Sequence, residues 1–118
     1  MWLFTKHGFY SVVANTKPGE SGLLVRGREV GHLNALCDRM GWERSRVLET
    51  PANDYRYRVM VTNKEWAKAA SKLAGEIDYG NFKGECGARK YDGELDAAYV
   101  KTLGKVWQTM FEYQAANK

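Results

Sequence analysis

Aromatic and β-branched residues fill two short stretches near the start of the chain, residues 2–5 and 9–15. The connection between them contains Gly8, which can take a positive φ, so the pattern predicts a β-hairpin. A loop with one proline and two glycines follows at residues 16–22, and residues 23–26 are typical of a short strand. Three strands are therefore expected before the first helix.

Three later segments have the apolar spacing of helices. Residues 28–40 repeat apolar positions every three or four residues and precede Gly41, which is suited to a helix C-cap. Thr62 and Glu65 have the spacing of a capping box, so a second helix is predicted to start there. A third apolar stripe predicts a C-terminal helix of five turns. It consists of Leu95, Tyr99, Leu103, Val106, Met110 and Tyr113. Residues 79–93 hold four glycines and are predicted to form a mobile loop.

The strand predicted at residues 55–61 alternates between two faces. Tyr55 and Tyr57 share one face with two valines, whereas Arg56 and Arg58 share the other with a methionine. We therefore expect both tyrosine rings to point into the core and both arginines to point outward.

The predicted order of elements is three strands, a helix, two strands, a helix, a loop and a helix, with the fourth strand at residues 46–50. From the third strand to the second helix this is β-α-β-β-α, most of a ferredoxin-like split unit. The sequence thus predicts one α+β domain over residues 1–118, with helices over one face of an antiparallel sheet of four to five strands. The N-terminal hairpin extends the sheet, and a long helix ends the chain.

The net charge of +4 resides mostly in the first 62 residues, where nine Lys or Arg face six Asp or Glu. Such an excess suits nucleic acid or an acidic protein as partner and is equally ordinary for solubility. No apolar run approaches the roughly 18 residues of a membrane helix, and the N-terminus lacks the order of a signal peptide. We expect a cytoplasmic protein without a membrane partner, in which Cys37 and Cys86 stay reduced.

Residues that could hold a metal or act as a nucleophile are sparse. His7, His32 and the two cysteines lack the paired spacing of a metal site. No serine or cysteine occupies a recognisable strained turn of the kind that activates a nucleophile. We therefore expect no catalytic residue, no metal and no cofactor. The alternative is a small enzyme that uses residues 78–91, where Cys86 lies between glycines.

Aromatic and basic residues interleave in two predicted strands, as they do in sheets that bind single-stranded nucleic acids. The candidate contacts in these strands are Lys6, Arg56 and Arg58. The expected burial of the tyrosine rings in the later strand weighs against this interpretation, because rings in the core cannot stack on bases.

Two other segments contain candidate binding residues. The segment after the predicted second helix contains more kinds of polar side chain than are needed to end a helix. Its candidate binding residues are Asp78, Tyr79, Asn81 and Lys83. These residues could equally stabilise a turn and seal the core. In the C-terminal helix, Trp107 lies at the edge of the apolar stripe and Phe111 lies off it. These two side chains could form a protein interface or pack against the sheet of the same monomer.

Five motifs stand out along the chain: MWLFTK and GFYS at residues 1–6 and 8–11, DYRYR at 54–58, IDYGNFK at 77–83, and Tyr99 with VW at 106–107 and Met110. In these motifs the chain resembles a group of small bacterial and phage proteins. The likeness runs through most of the chain and implies a single domain, but no mechanism accompanies it. Small stand-alone phage proteins often block a host protein or nucleoprotein, so the resemblance also suggests an inhibitor of a host defence complex.

Together these patterns favour a non-enzymatic binding module for a macromolecular partner. A protein or nucleoprotein surface is the first expectation. The alternatives are a single-stranded nucleic-acid-binding domain and the small enzyme described above. Association of two copies into a homodimer also stays open.

Overall fold

The computed structural model describes residues 1–117, which form an α+β fold. Its strands are β1 (Trp2–Thr5), β2 (Gly8–Ala14), β3 (Leu23–Gly27), β4 (Leu48–Glu49) and β5 (Tyr57–Val61). Its helices are α1 (Val30–Met40), α2 (Asn63–Gly75), α3 (Phe82–Tyr91) and α4 (Ala97–Ala116). The chain divides into two compact units, one up to Asp78 and one from Tyr79 onward. That the whole chain is a single domain stays a prediction.

All five strands form one antiparallel sheet in the order β1-β2-β3-β5-β4. Because β5 lies between β3 and β4 and is antiparallel to both, β3 and β4 run parallel, and α1 connects them in the predicted split arrangement. The other neighbour of β3 is β2, from the N-terminal hairpin. The predicted fold class is therefore confirmed.

Alternate residues of the inner strands point toward α1 and α2 and form the core of the first unit. Val25 of β3 lies opposite Val59 of β5, and both are fully buried. Tyr10 of β2 is fully buried as well, and its hydroxyl donates a 2.7 Å hydrogen bond to the carbonyl of His32. Burial raises the pKa of Tyr10, so the hydroxyl keeps the proton that it donates. The helices contribute Leu33, Leu36, Cys37, Trp66, Ala69 and Leu73.

The capping box predicted at the start of α2 is confirmed. The hydroxyl of Thr62 accepts a hydrogen bond from the backbone N–H of Glu65, and the Glu65 carboxylate accepts one from the N–H of Thr62. Arg46 also donates two hydrogen bonds to this carboxylate, at 2.9 and 3.1 Å. Glu65 therefore ties the entry to α2 to the segment before β4.

The second unit consists of α3 packed against α4. The mobile loop predicted at residues 79–93 is wrong, because residues 82–91 form α3. The side chain of Asn81 caps this helix by accepting a 2.8 Å hydrogen bond from the N–H of Gly84, and Cys86 is fully buried. Glycines add no side chain to an apolar stripe, and they therefore hid the helical period. Among residues 1–117, no helix is both long enough and apolar enough to cross a membrane.

Gly8→Ala is predicted to destabilise the hairpin. Gly8 has a φ of 147°, and an added Cβ would lie 2.3 Å from Cγ of His32. Strain and overpacking together should lower the free energy of unfolding, measured with urea, by about 2–3 kcal/mol. Gly31→Ala is the control, because a Cβ there meets nothing within 4 Å and alanine favours the helix. Equal stability of the Gly8 variant and the wild type would contradict this geometry.

The contribution of Glu65 to stability is predicted to disappear in acid. Hydrogen bonds from Arg46 and from the backbone of Thr62 lower the pKa of Glu65 from 4.5 to about 2. Ionised Glu65 therefore stabilises the folded state in full above pH 4.5, and this stabilisation is lost as the pH falls toward 2. We expect Glu65→Gln to lower the free energy of unfolding by about 1 kcal/mol at neutral pH. This difference between variant and wild type should disappear as the pH falls from 4.5 toward 2. A gap that stays constant in acid would refute the assignment.

Candidate functional site

The face of the sheet opposite α1 and α2 contains the candidate site. Val25 and Val59 point into the core, so their neighbours Arg26 and Arg58 point to the other face, where they lie opposite each other in the β3–β5 ladder. Tyr55, just before β5, also places its ring on this face. The antiparallel sheet thus has an apolar side and a side that contains two facing arginines.

Three arginines surround Tyr55, and we call them the arginine cluster: Arg26, Arg28 and Arg58. The guanidinium carbons of Arg26 and Arg28 lie 4.4 and 4.2 Å from the centroid of the Tyr55 ring, which is cation–π geometry. Arg58 reaches the same residue from β5, with Nη2 3.5 Å from the carbonyl oxygen of Tyr55. Tyr55 itself is only 5% exposed. A covered aromatic ring therefore holds the cluster in place.

The arginine cluster differs from the other arginines in lacking carboxylate partners. In residues 1–117, five of the eight arginines lie within 4.0 Å of a carboxylate. These pairs are Arg39–Glu76, Arg44–Asp38, Arg46–Glu65, Arg56–Glu49 and Arg89–Glu94. Arg26, Arg28 and Arg58 have no such pair in the described part of the chain. Three guanidinium groups thus lie around Tyr55 without an ion pair in the described chain, although the Asp54 carboxylate accepts a hydrogen bond from the Tyr55 N–H.

The hydrogen bonds of the cluster go to neutral groups. Arg26 donates to the hydroxyl of Ser11 at 2.8 Å, and its buried Nε has no hydrogen-bond partner among the described atoms. Arg58 donates to the hydroxyl of Thr50 at 3.1 Å, and Arg28 donates to the carbonyl of Asp54 at 3.0 Å. Guanidinium groups bind carboxylates and phosphates more strongly than they bind neutral acceptors. The donors of the cluster are therefore suited to an anion.

A row of aromatic rings adjoins the cluster; this aromatic row consists of Trp2, Phe4, Phe9 and Tyr55. Phe9 is its centre, since its ring centroid lies 4.5 Å from Phe4, 6.1 Å from Trp2 and 6.5 Å from Tyr55. Phe4 and Phe9 are stacked, and Trp2 is 69% exposed. The hairpin therefore places flat apolar rings next to unneutralised arginines.

A depression with a volume of about 670 Å³ lies on the same face. Arg26 and Arg58 line it together with apolar side chains of four strands, Val13, Leu24, Leu48 and Met60. Polar side chains at its edge are Asn15, Thr16, Lys17, Glu20, Thr50 and Asn53. Its size is typical of ligand sites, which measure roughly 300–1,000 Å³. Its lining combines apolar surface with the charges of Arg26, Arg58 and an ion pair between Lys17 and Glu20 at 3.5 Å.

Only one of the sequence-predicted contact residues, Arg58, lies in this site. Arg56 points elsewhere and donates to the carboxylate of Glu49 at 3.0 and 2.7 Å. Lys6 lies in the β1–β2 turn, with its ammonium nitrogen 3.5 Å from the Asp78 carboxylate. This contact connects the turn to the segment after α2.

The other predicted residues belong to the second unit. Asn81 is the N-cap of α3, and the rings of Tyr79 and Phe82 lie 5.9 Å apart. Lys83 places its ammonium nitrogen 4.4 Å from the centroid of the Trp107 ring. Trp107 and Phe111 stack with their centroids 5.3 Å apart and are each half exposed.

The predicted burial of the two tyrosine rings is confirmed for Tyr55, which is 5% exposed, but its ring lies against Arg26 and Phe9 and not among the residues that α1 and α2 cover. Tyr57 packs against the core. Strand β5 begins only at Tyr57, so the alternation does not extend back to Tyr55, whose N–H is held by the Asp54 carboxylate at 3.0 Å. Sequence analysis also missed Arg26 and Phe9. Both alternate with buried core residues in β2 and β3, which is the signal that could have identified them.

The thiol of the enzyme alternative is inaccessible in this fold. Cys86 is fully buried on α3, and burial raises the pKa of its thiol. A raised pKa disfavours the thiolate, which is the nucleophilic form. Cys86 is therefore not an activated nucleophile in this fold.

Inorganic phosphate is predicted to stabilise the protein through the arginine cluster. At about 20 mM, phosphate bound with a Kd near 5 mM should raise the free energy of unfolding by about 1 kcal/mol over chloride of equal ionic strength. Arg26→Met should abolish that increment, because the variant loses donors and charge while keeping the side-chain bulk. General salt exclusion acts on both proteins alike. An equal gain in wild type and variant, in matched thermal melts, would show that phosphate does not use this site.

In comparisons with known proteins, no family model, no curated protein and no solved structure matches the chain. Inferences about its function therefore rest on the geometry of the sheet and on the chemistry of its side chains.

Proposed function

We propose that this protein is a non-enzymatic binding module that holds a single-stranded nucleic acid against the sheet face opposite α1 and α2. The observation that carries the proposal is the arginine cluster, whose three guanidinium groups lack carboxylate partners in the described chain. Phosphates of a nucleic acid supply the missing negative charge. Arginine suits them because its planar donors match two phosphate oxygens at once.

Within the aromatic row, the exposed ring of Trp2 favours a single strand over a duplex, whereas the covered ring of Tyr55 cannot stack on a base. Proteins that bind single strands stack bases on aromatic side chains beside cations, at about 1–3 kcal/mol per base. Trp2 is largely exposed and lies edge-on to Phe9, so its ring is available to a base. Duplex DNA keeps its bases stacked on one another and offers no free base face to these rings. Phosphate contacts and stacking can thus act on one ligand.

A protein partner keeps support from the exposed aromatic residues of α4, which lie apart from the arginine cluster in sequence and belong to the other unit. Inhibition of a host defence complex by a phage protein is one form that this activity could take, and it stays a prediction. A cytoplasmic location belongs to the same proposal. Its support is that Cys37 and Cys86 are free and buried.

Oligonucleotide binding should depend on the arginine cluster. With fluorescein-labelled dT and rU oligomers in fluorescence anisotropy, Arg58→Ala should weaken binding about tenfold, equal to about 1.4 kcal/mol. It should also reduce the slope of log K against log salt by about one, because one phosphate contact is lost. The double variant Arg28→Ala with Arg58→Ala should reduce the slope by about two, because two phosphate contacts are lost, and should bind more weakly than Arg58→Ala. Both arginines contact Tyr55, so their two free-energy losses are coupled and do not simply add.

Arg44→Ala is the matched control for this experiment. It removes the same charge, but Arg44 is exposed and paired with Asp38 at 2.6 Å, so affinity should change little. A duplex of the same sequence should bind more weakly than either strand. If Arg44→Ala and Arg58→Ala weaken binding equally, the interaction is with net charge alone and the proposed site is wrong. Absence of any binding at low salt would reject the function itself.

A further inference from the structure

The second half of α4 presents an apolar stripe that its own chain covers only in part. The stripe follows a heptad pattern, with successive spacings of four and three residues at Tyr99, Leu103, Val106, Met110 and Tyr113. Tyr99 and Leu103 are buried, whereas Met110 and Tyr113 are 58% and 64% exposed. One continuous seam is therefore buried at its start and exposed at its end.

The exposed end of the seam has the shape that receives another helix. A depression of about 590 Å³ is lined entirely by α4 and its C-cap, by Trp107, Met110, Phe111, Tyr113, Gln114 and Asn117. These residues form two overlapping sets spaced i, i+3, i+4 and i+7. Four residues at that spacing form the hole into which a side chain of a facing helix inserts in a coiled coil. This side of α4 thus offers apolar holes of the kind that a facing helix fills.

The side chains around these holes are held in place before any partner arrives. Trp107 and Phe111 stack with an interplanar angle of 5°, and Lys83 of α3 lies over the Trp107 ring. Because stacking already restricts both rings, less conformational entropy is lost when a partner binds. Aromatic residues in such pre-ordered positions dominate the energy of many interfaces.

The charge of this surface identifies a second copy of the chain as a suitable occupant. Residues 104–117 contain one lysine and one glutamate, Lys105 and Glu112, so two copies do not repel each other. With the ammonium of Lys83 beside Trp107, this surface has a net charge of only about +1, which offers little attraction to an acidic protein or a nucleic acid. The same stripe also supplies the apolar side chains that a facing helix must insert. A surface that offers both holes and side chains to fill them is self-complementary, as a two-fold interface requires.

The geometry points to an antiparallel dimer in which the second half of α4 packs against its counterpart in another copy. With the two-fold axis near Gln108, Val106 of each copy lies opposite Met110 of the other, which is the layer arrangement of an antiparallel coiled coil. Helix α3 packs on α4 within each copy, and an antiparallel crossing directs the two α3 helices to opposite ends. This dimer is independent of the nucleic-acid proposal, which concerns the other unit.

Sedimentation equilibrium of the full chain over a wide concentration range tests the dimer. The wild type should dimerise, and Trp107→Ala should weaken the dimer at least about 30-fold, as expected of a central aromatic residue. Met110→Glu and Val106→Lys should each be monomeric, because each buries an unpaired charge. Tyr91→Glu is the control: Tyr91 is 87% exposed on α3, and this variant should dimerise like the wild type.

Mixing the charged variants tests the direction of the helices. Met110→Glu with Val106→Lys should form a heterodimer, because the antiparallel register places the two new charges opposite each other. Circular dichroism checks that each variant stays folded. A wild type that is monomeric at every concentration, or single variants that still dimerise, would overturn the proposal. Recovery by Met110→Glu with Met110→Lys, but not with Val106→Lys, would overturn the antiparallel arrangement.

Discussion

The packing of α1 and α2 on one face of the sheet is the constraint from which the rest of the first unit follows. Tyr10, Val25 and Val59 are buried under these helices. Because successive side chains of a strand point to opposite faces, the residues next to them point to the other face of the sheet. Arg26 and Arg58 must lie on the other face. The hydrophobic core thus determines the face on which Arg26 and Arg58 lie, although neither guanidinium group lies in that core.

The arginine cluster is a costly arrangement in a protein that has carboxylates elsewhere. Fourteen Asp and Glu are present, and five of them neutralise other arginines, yet none lies within ion-pair distance of the cluster in the described chain. Like charges around Tyr55 repel one another, and the buried Nε of Arg26 lacks a hydrogen bond. Repulsion of this kind is typical of binding sites, where the ligand supplies the missing negative charge.

Structural elements that depend on residues close together in the chain could be predicted from the sequence. The hairpin turn at Gly8 and the capping box at Thr62 depend on residues a few positions apart, and both are confirmed. The site was harder to predict, because it is defined by arginines without ion pairs, and ion pairs join residues that are far apart in sequence. Arg39 and Glu76, for example, come together only in the folded chain. No local pattern could show that Arg26 and Arg28 lack such partners. Tyr55 was misplaced because the start of a strand, two residues later, is a tertiary outcome.

Backbone-amide NMR during titration with a single-stranded oligonucleotide tests the central claim most directly, because it locates the ligand residue by residue. The account predicts that the largest shift changes fall on β2, β3 and β5, around Phe9, Arg26 and Arg58. The amides of α1 and α2 that face away from this sheet surface should change little. Shift changes confined to α4, or scattered over every exposed lysine, would contradict the claim that the arginine cluster is the binding site.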